Sequence, residues 1–181
     1  MERGIISPTV SRLWKIAGAL KTPLSQIAKR MDDLSRRFRE DTVVQFNYRP
    51  TLNATLQINA GNPAQAIEIL EAARPYELGS PSNISMSLSM YPVYVRGLAY
   101  LAAKQGPQAA AEFQKLLAHR GIVQTEPIGS LAQLGLARAY ALQGDAAQAK
   151  SAYQDFLKLW KDADSTIPIL KQAQAESAKL S

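Results

Sequence analysis

The sequence contains no cysteine and a single histidine, His119. Without thiols there are no disulfides, no thiolate metal sites and no cysteine nucleophile, and the chain fits a reducing, cytoplasmic setting. One histidine without clustered carboxylates does not make a metal site. His119 precedes Arg120-Gly121 at the end of a predicted helix, where the helix dipole favours it. The adjacent pairs Asp32-Asp33 and Glu40-Asp41 point to different sides of a helix and form no dyad. Ser80 to Ser89 has neither a base nor an oxyanion loop beside it and reads as a polar connection. No apolar run approaches the ~20 residues of a membrane span, and the start, Met-Glu-Arg-Gly, is not a signal peptide. These gaps argue against an enzyme, a cofactor and a membrane partner.

What the chain does have is helix-forming sequence, rich in alanine and glutamine. No alternation of apolar and polar residues competes, so the expected fold class is all-α. Thr9 to Leu20 carries an apolar stripe at Val10, Leu13, Trp14, Ala17 and Leu20, with Pro8 in the first turn. A second stripe runs through Leu24, Ile27, Ala28, Met31, Leu34 and Phe38, and its opposite face carries Lys29, Arg30, Arg36 and Arg37. The net charge is +6, and residues 1–49 supply +5 of it. A basic segment of this kind contacts phosphates weakly or simply faces solvent.

From residue 42 the pattern becomes three helical hairpins. The first is Thr42 to Gly61 with Asn62 to Pro75, where Asn62 caps, Pro63 starts the second helix and Pro50 is placed near a first turn. After a Ser-rich loop from Leu78 to Met90, the second is Tyr91 to Gly106 with Pro107 to Gly121. After a loop at Ile122 to Ser130, the third is Leu131 to Gly144 with Asp145 to Asp164; Trp160 is a core residue. A last helix follows, capped by Ser165 or Thr166.

The hairpins share a register. Ala137, Tyr140, Gly144, Ala149, Tyr153 and Phe156 of the third align with Gly97, Tyr100, Ala109, Phe113 and Leu116 of the second, and with Ala54, Gln57, Gly61, Ala66, Leu70 and Ala73 of the first. The second turn glycine, Gly106, comes two residues late, and Gln57 replaces the aromatic in the first copy. Small residues let the paired helices approach, and the aromatic fills the gap to the next hairpin. Tyr140 is accordingly expected to pack between hairpins two and three.

This pattern resembles the tetratricopeptide repeat. The resemblance implies an α-solenoid of about three hairpins over residues 42–181, with extra N-terminal helices and a C-terminal capping helix. "AAAEFQKLLAHRGIV" and "EPIGSLAQLGLARAYALQGD" further resemble the C-terminal repeats of bacterial, acidobacterial-type serine/threonine kinases and related regulators, without any kinase motif. Glu2 to Gly4 followed by "SPTVSRLWKIAGALKTPLSQI" resembles the second half of an XRE-type helix-turn-helix, so residues 1–39 read as a partial domain of that type or as N-terminal helices of the repeat domain. The DNA-reading helix of such a domain would precede Glu2, so sequence-specific DNA binding is not expected.

Two functions follow as expectations. The first is a protein or peptide interaction module, the repeat scaffold or sensor of a larger regulator. In it the outward row Tyr48, Thr55, Asn59, Tyr94, Leu98, Leu134 and Arg138 would line a concave partner-binding face. The N-terminal helices, with Leu13, Trp14, Leu24 and Ile27 to bury, could fill the same groove. The second is a helix-turn-helix transcription regulator with a repeat sensor, truncated at its N-terminus. Weak, salt-sensitive nucleic-acid contact would then fall to Arg30, Arg36 and Arg37.

Overall fold

The computed structural model describes residues 24–79 and 90–180, all of it helices and turns with no strand among them. The helix expected at Thr9 to Leu20 and most of the Ser-rich loop lie outside the described residues. The elements run α1 (Leu24–Arg37), a π-helical turn (Val44–Tyr48), α2 (Arg49–Asn59), α3 (Pro63–Glu71), a 3-10 turn (Arg74–Tyr76), α4 (Tyr91–Ala102), α5 (Gly106–Ala118), α6 (Arg120–Val123), α7 (Pro127–Leu142), α8 (Ala146–Leu159) and α9 (Pro168–Ala178). They stack as a tetratricopeptide-like α-solenoid: α2 with α3, α4 with α5, α7 with α8, each pair packed on the next, and α9 against α8.

The repeat register is the core. Ala54, Ala66, Leu70, Ala109, Phe113, Leu116, Ala137, Ala149 and Phe156 are all fully buried. Each hairpin turns in the same way. The carbonyl at the register position accepts a hydrogen bond from the amide five residues on: Gln57 from Asn62, Tyr100 from Gln105, Tyr140 from Asp145. The residue before each donor takes a positive φ, at Gly61, Lys104 and Gly144. Thus Lys104, not Gly106, occupies the second turn. Gly106 instead opens α5, where a Cβ would meet the Gln143 side chain and the Ala139 carbonyl. It is a packing glycine.

Pro50 sits in the first turn of α2, as expected, but helical backbone already precedes it. The helix starts after Asp41, whose side chain accepts from the Val44 amide at 2.9 Å, and continues through Pro50. The π-helical turn makes this feasible. Arg49 N–H bonds back to the Val44 carbonyl, one residue further than in an α-helix. The widened turn gives the proline ring room at a place where it has no N–H to donate.

Three smaller expectations change. The Asn62 side chain bonds to Gln57 Oε1 and does not cap α3. The loop before the third hairpin contains α6, and α7 already begins at Pro127. The turn into α9 is made by Asp164, whose carboxylate accepts from the Thr166 amide, and neither Ser165 nor Thr166 caps the helix. Of the α1 stripe, Met31 and Leu34 are half-buried, but Phe38 is 51% exposed beyond the end of the helix.

Candidate interaction surface

Four of the seven residues expected to face outward are buried: Thr55, Tyr94, Leu98 and Leu134. The reason is the position of α4. It is packed on by α2, α3, α5 and α7, so every residue from Pro92 to Ala99 is buried and no open face is left. Tyr94 meets Phe113 edge-on, with centroids 6.0 Å apart. Thr55 donates its hydroxyl to the Thr51 carbonyl at 2.7 Å and offers nothing to a partner.

Arg138 is half-buried, and its guanidinium is held in a fork by Glu176 of α9, at 2.8 and 3.0 Å. Glu176 also accepts from the Tyr153 hydroxyl at 2.9 Å. Burial, with the charge of Glu176 beside it, pushes the Tyr153 hydroxyl well above the usual phenol range. Arg138 therefore locks the terminal helix onto the third hairpin. Two members of the row remain reachable, both from the first hairpin: Tyr48, half-buried on the π-helical turn, and Asn59, exposed at the end of α2. Burial, and to a lesser degree Asp41, raises the Tyr48 pKa.

The three arginines of the basic face do not act together. Arg37 pairs with Asp33 one turn earlier at 2.7 Å. Arg30 is exposed on α1, and Arg36 lines an open cleft between α1 and the start of α2. His119 ends α5 as expected, its Nδ1 donating to the Lys115 carbonyl at 2.8 Å.

A buried charge network went unread in the sequence. Arg96, in the middle of α4, is fully buried. It makes a bidentate pair with Glu112 of α5, both contacts at 2.8 Å, and donates to the Leu70 carbonyl of α3 at 3.1 Å. Its Nη2 also meets Glu77, which is paired in turn with Lys115. Arg74 joins Glu112 to Glu71 at the surface. Burial alone would lower the Arg96 pKa, but hydrogen bonds and charge from Glu112 and Glu77 more than offset this and hold it protonated. The network bolts hairpin one to hairpin two. Arg96 sits within an apolar helical stretch, "YPVYVRGLAYLA", and its two partners lie 19 residues before and 16 after, so no local spacing announces the set.

Among the described residues, no group of three His, Asp or Glu side chains could hold a metal ion, and no helix is long and apolar enough to cross a membrane. No curated protein and no solved structure matches the sequence. The family model of the tetratricopeptide repeat matches residues 131–163, which are most of α7, all of α8 and the turn that follows, and so identify the third hairpin as a repeat of that family.

Proposed function

We propose that the chain is a non-catalytic module that binds a protein or an extended peptide, as the repeat scaffold or sensor part of a larger regulator. The observation that supports this reading is the stack of three hairpins in one register, with the third matching the tetratricopeptide repeat. Repeat stacks of this kind bury their cores between hairpins and leave an extended surface for partners. The first hairpin is the proposed contact. Its π-helical turn and α2 keep Tyr48 and Asn59 within reach of solvent, a ring for apolar contact and an amide for a peptide backbone.

Selection from a displayed library of random peptides tests this. The expected result is a consensus peptide that binds at about micromolar strength and weakens about tenfold in the Tyr48→Ala/Asn59→Ala double variant. Failure to enrich any consensus, or enrichment of peptides indifferent to both changes, counts against the proposal.

A further inference from the structure

The cleft beside Arg36 has an unusual charge arrangement. It is an open hollow of about 900 Å³ between α1 and the start of α2. Lys29, Asp32, Arg36 and Arg39 reach it at spacings of three, four and three residues, one side of a helix and its exit turn. Arg49 enters from the opposite wall. Four cations therefore meet one carboxylate.

The floor is fixed. Ser35 donates its hydroxyl to Gln45 Oε1, and Gln45 Nε2 donates to the carbonyls of Ser35 and Phe38, each at 2.8 Å. Gln45 belongs to the π-helical turn, so that turn ties the two walls together. Arg39 Nε donates to the Arg36 carbonyl at 3.3 Å, leaving the rest of its fork free.

None of the four cations is paired with a carboxylate among the described residues. Arg37, Arg74, Arg96, Lys115, Arg138 and Lys161 are so paired, whereas Arg30, Lys104 and Arg120 elsewhere are not. Three guanidinium groups at one hollow, with Asp32 the single carboxylate among its described lining residues, repel one another. An anion that enters relieves this and can be gripped by forked hydrogen bonds.

We infer that this cleft binds an acidic peptide segment, gripping its carboxylates with Arg36, Arg39 and Arg49. The inference rests on the interaction-module reading for the class of partner only, since it uses a different surface. Residues 1–23 hold four cations and one carboxylate, so by charge that segment is a poor occupant. Nucleic acid fits less well. No aromatic ring is among the described lining residues, so nothing offers to stack a base. A duplex is convex and would meet only the rim.

The test is a fluorescence-anisotropy titration of the full chain with labelled oligo-glutamate peptide, at low and at physiological salt. The expected result is saturable binding at both, weaker at the higher salt. The Arg36→Glu/Arg49→Glu variant should lose about tenfold or more in affinity. Arg36→Gln/Arg49→Gln should lose less, and both should keep the parent melting temperature within a few degrees, because both side chains are exposed. Arg120→Glu on α6 and the Tyr48→Ala/Asn59→Ala pair should bind as the parent does. That last variant separates the two proposals, because only the peptide-groove reading depends on it. The inference is overturned if the charge-reversed variant binds as the parent does. It is equally overturned if binding vanishes at physiological salt, or if oligo-uridylate or random duplex displaces the peptide at lower concentration than unlabelled peptide does.

Discussion

The ring of Phe113 on α5 lies against the bare backbone of Gly135 on α7. A methyl group placed on Gly135 would stand 2.5 Å from Phe113 Cε1 and Cζ, and one on Gly97 of α4 would stand 2.8 Å from the same two atoms. One aromatic residue is thus clasped by two glycines, one from its own hairpin and one from the next. Alanine is a better helix former than glycine by about 1 kcal/mol. At Gly135 that preference competes with a clash against a fully buried ring. Overpacking costs about 1–3 kcal/mol, so Gly135→Ala should destabilise by about 1 kcal/mol net. Gly121→Ala, where nothing lies within 4 Å, should be neutral or slightly stabilising. Urea unfolding of both variants checks the difference in sign.

The same geometry ranks the aromatics. Phe113 is fully buried, whereas Tyr140 is half-buried and its hydroxyl accepts from Gln114 of α5 at 2.9 Å. Tyr140 does bridge hairpins two and three, but at their surface. Phe113→Ala should cost about 3–5 kcal/mol. Tyr140→Ala should cost roughly half of that, since half-burial removes less apolar surface from water. Equal losses would show that Tyr140 is held more tightly than its exposure implies.

The fold was legible because each hairpin obeys its local rules. Ala54, Ala66, Ala109 and Ala149 recur where helices must approach closely, and Gly61 and Gly144 mark turns that need positive φ. The interaction surface was far less legible. Helical periodicity tells which residues share a face, but not whether a neighbouring hairpin covers that face. Hence Tyr94 and Leu134 read as outward and are buried. Long-range pairs were equally silent. Arg138 meets Glu176 across 38 positions, and Arg96 meets partners on both sides of the Ser-rich loop. Lys104 hid a turn because a lysine there carries no turn signature.

Lys104 takes φ of 60° at the position where the other two hairpins use glycine. For a residue with a Cβ the left-handed region costs roughly 1 kcal/mol. Lys104 is exposed and has no ion pair among the described residues, so little is lost with its side chain. Lys104→Gly should therefore stabilise the protein by about 0.5–1 kcal/mol, despite the greater freedom of an unfolded glycine. The check is a rise in the denaturant midpoint with an unchanged slope.

Asp145 caps α8. Its carboxylate accepts from the backbone amide of Gln148 at 3.0 Å and from the Gln148 side chain at 2.7 Å. These hydrogen bonds, the backbone one first, hold its pKa below the ordinary aspartate value. A carboxyl whose folded pKa lies below its unfolded one contributes stability above the unfolded value, about pH 4, and loses it as pH falls. Asp145→Asn should therefore flatten the fall of melting temperature on acidification below that pH. A profile parallel to the parent's would show that the cap contributes nothing through its charge.

Arg96 gives a predicted effect as large as that of Phe113→Ala. Its charge is surrounded by Glu112, Glu77 and the Leu70 carbonyl, and the two carboxylates are themselves buried. Removing the guanidinium strands them. Lys115 still reaches Glu77 and Arg74 still reaches Glu112, but the latter only at 3.4 Å and from the surface. Breaking a buried pair from one side costs about 3–5 kcal/mol, so Arg96→Met should unfold at a much lower denaturant concentration. The penalty comes mainly from the orphaned charges. Adding Glu112→Gln and Glu77→Gln to Arg96→Met should then recover a good part of the loss, because neutral amides need less compensation when buried. If the triple variant is no more stable than the single one, the packing of the arginine stem between α3, α4 and α5, and not its charge, joins the first two hairpins.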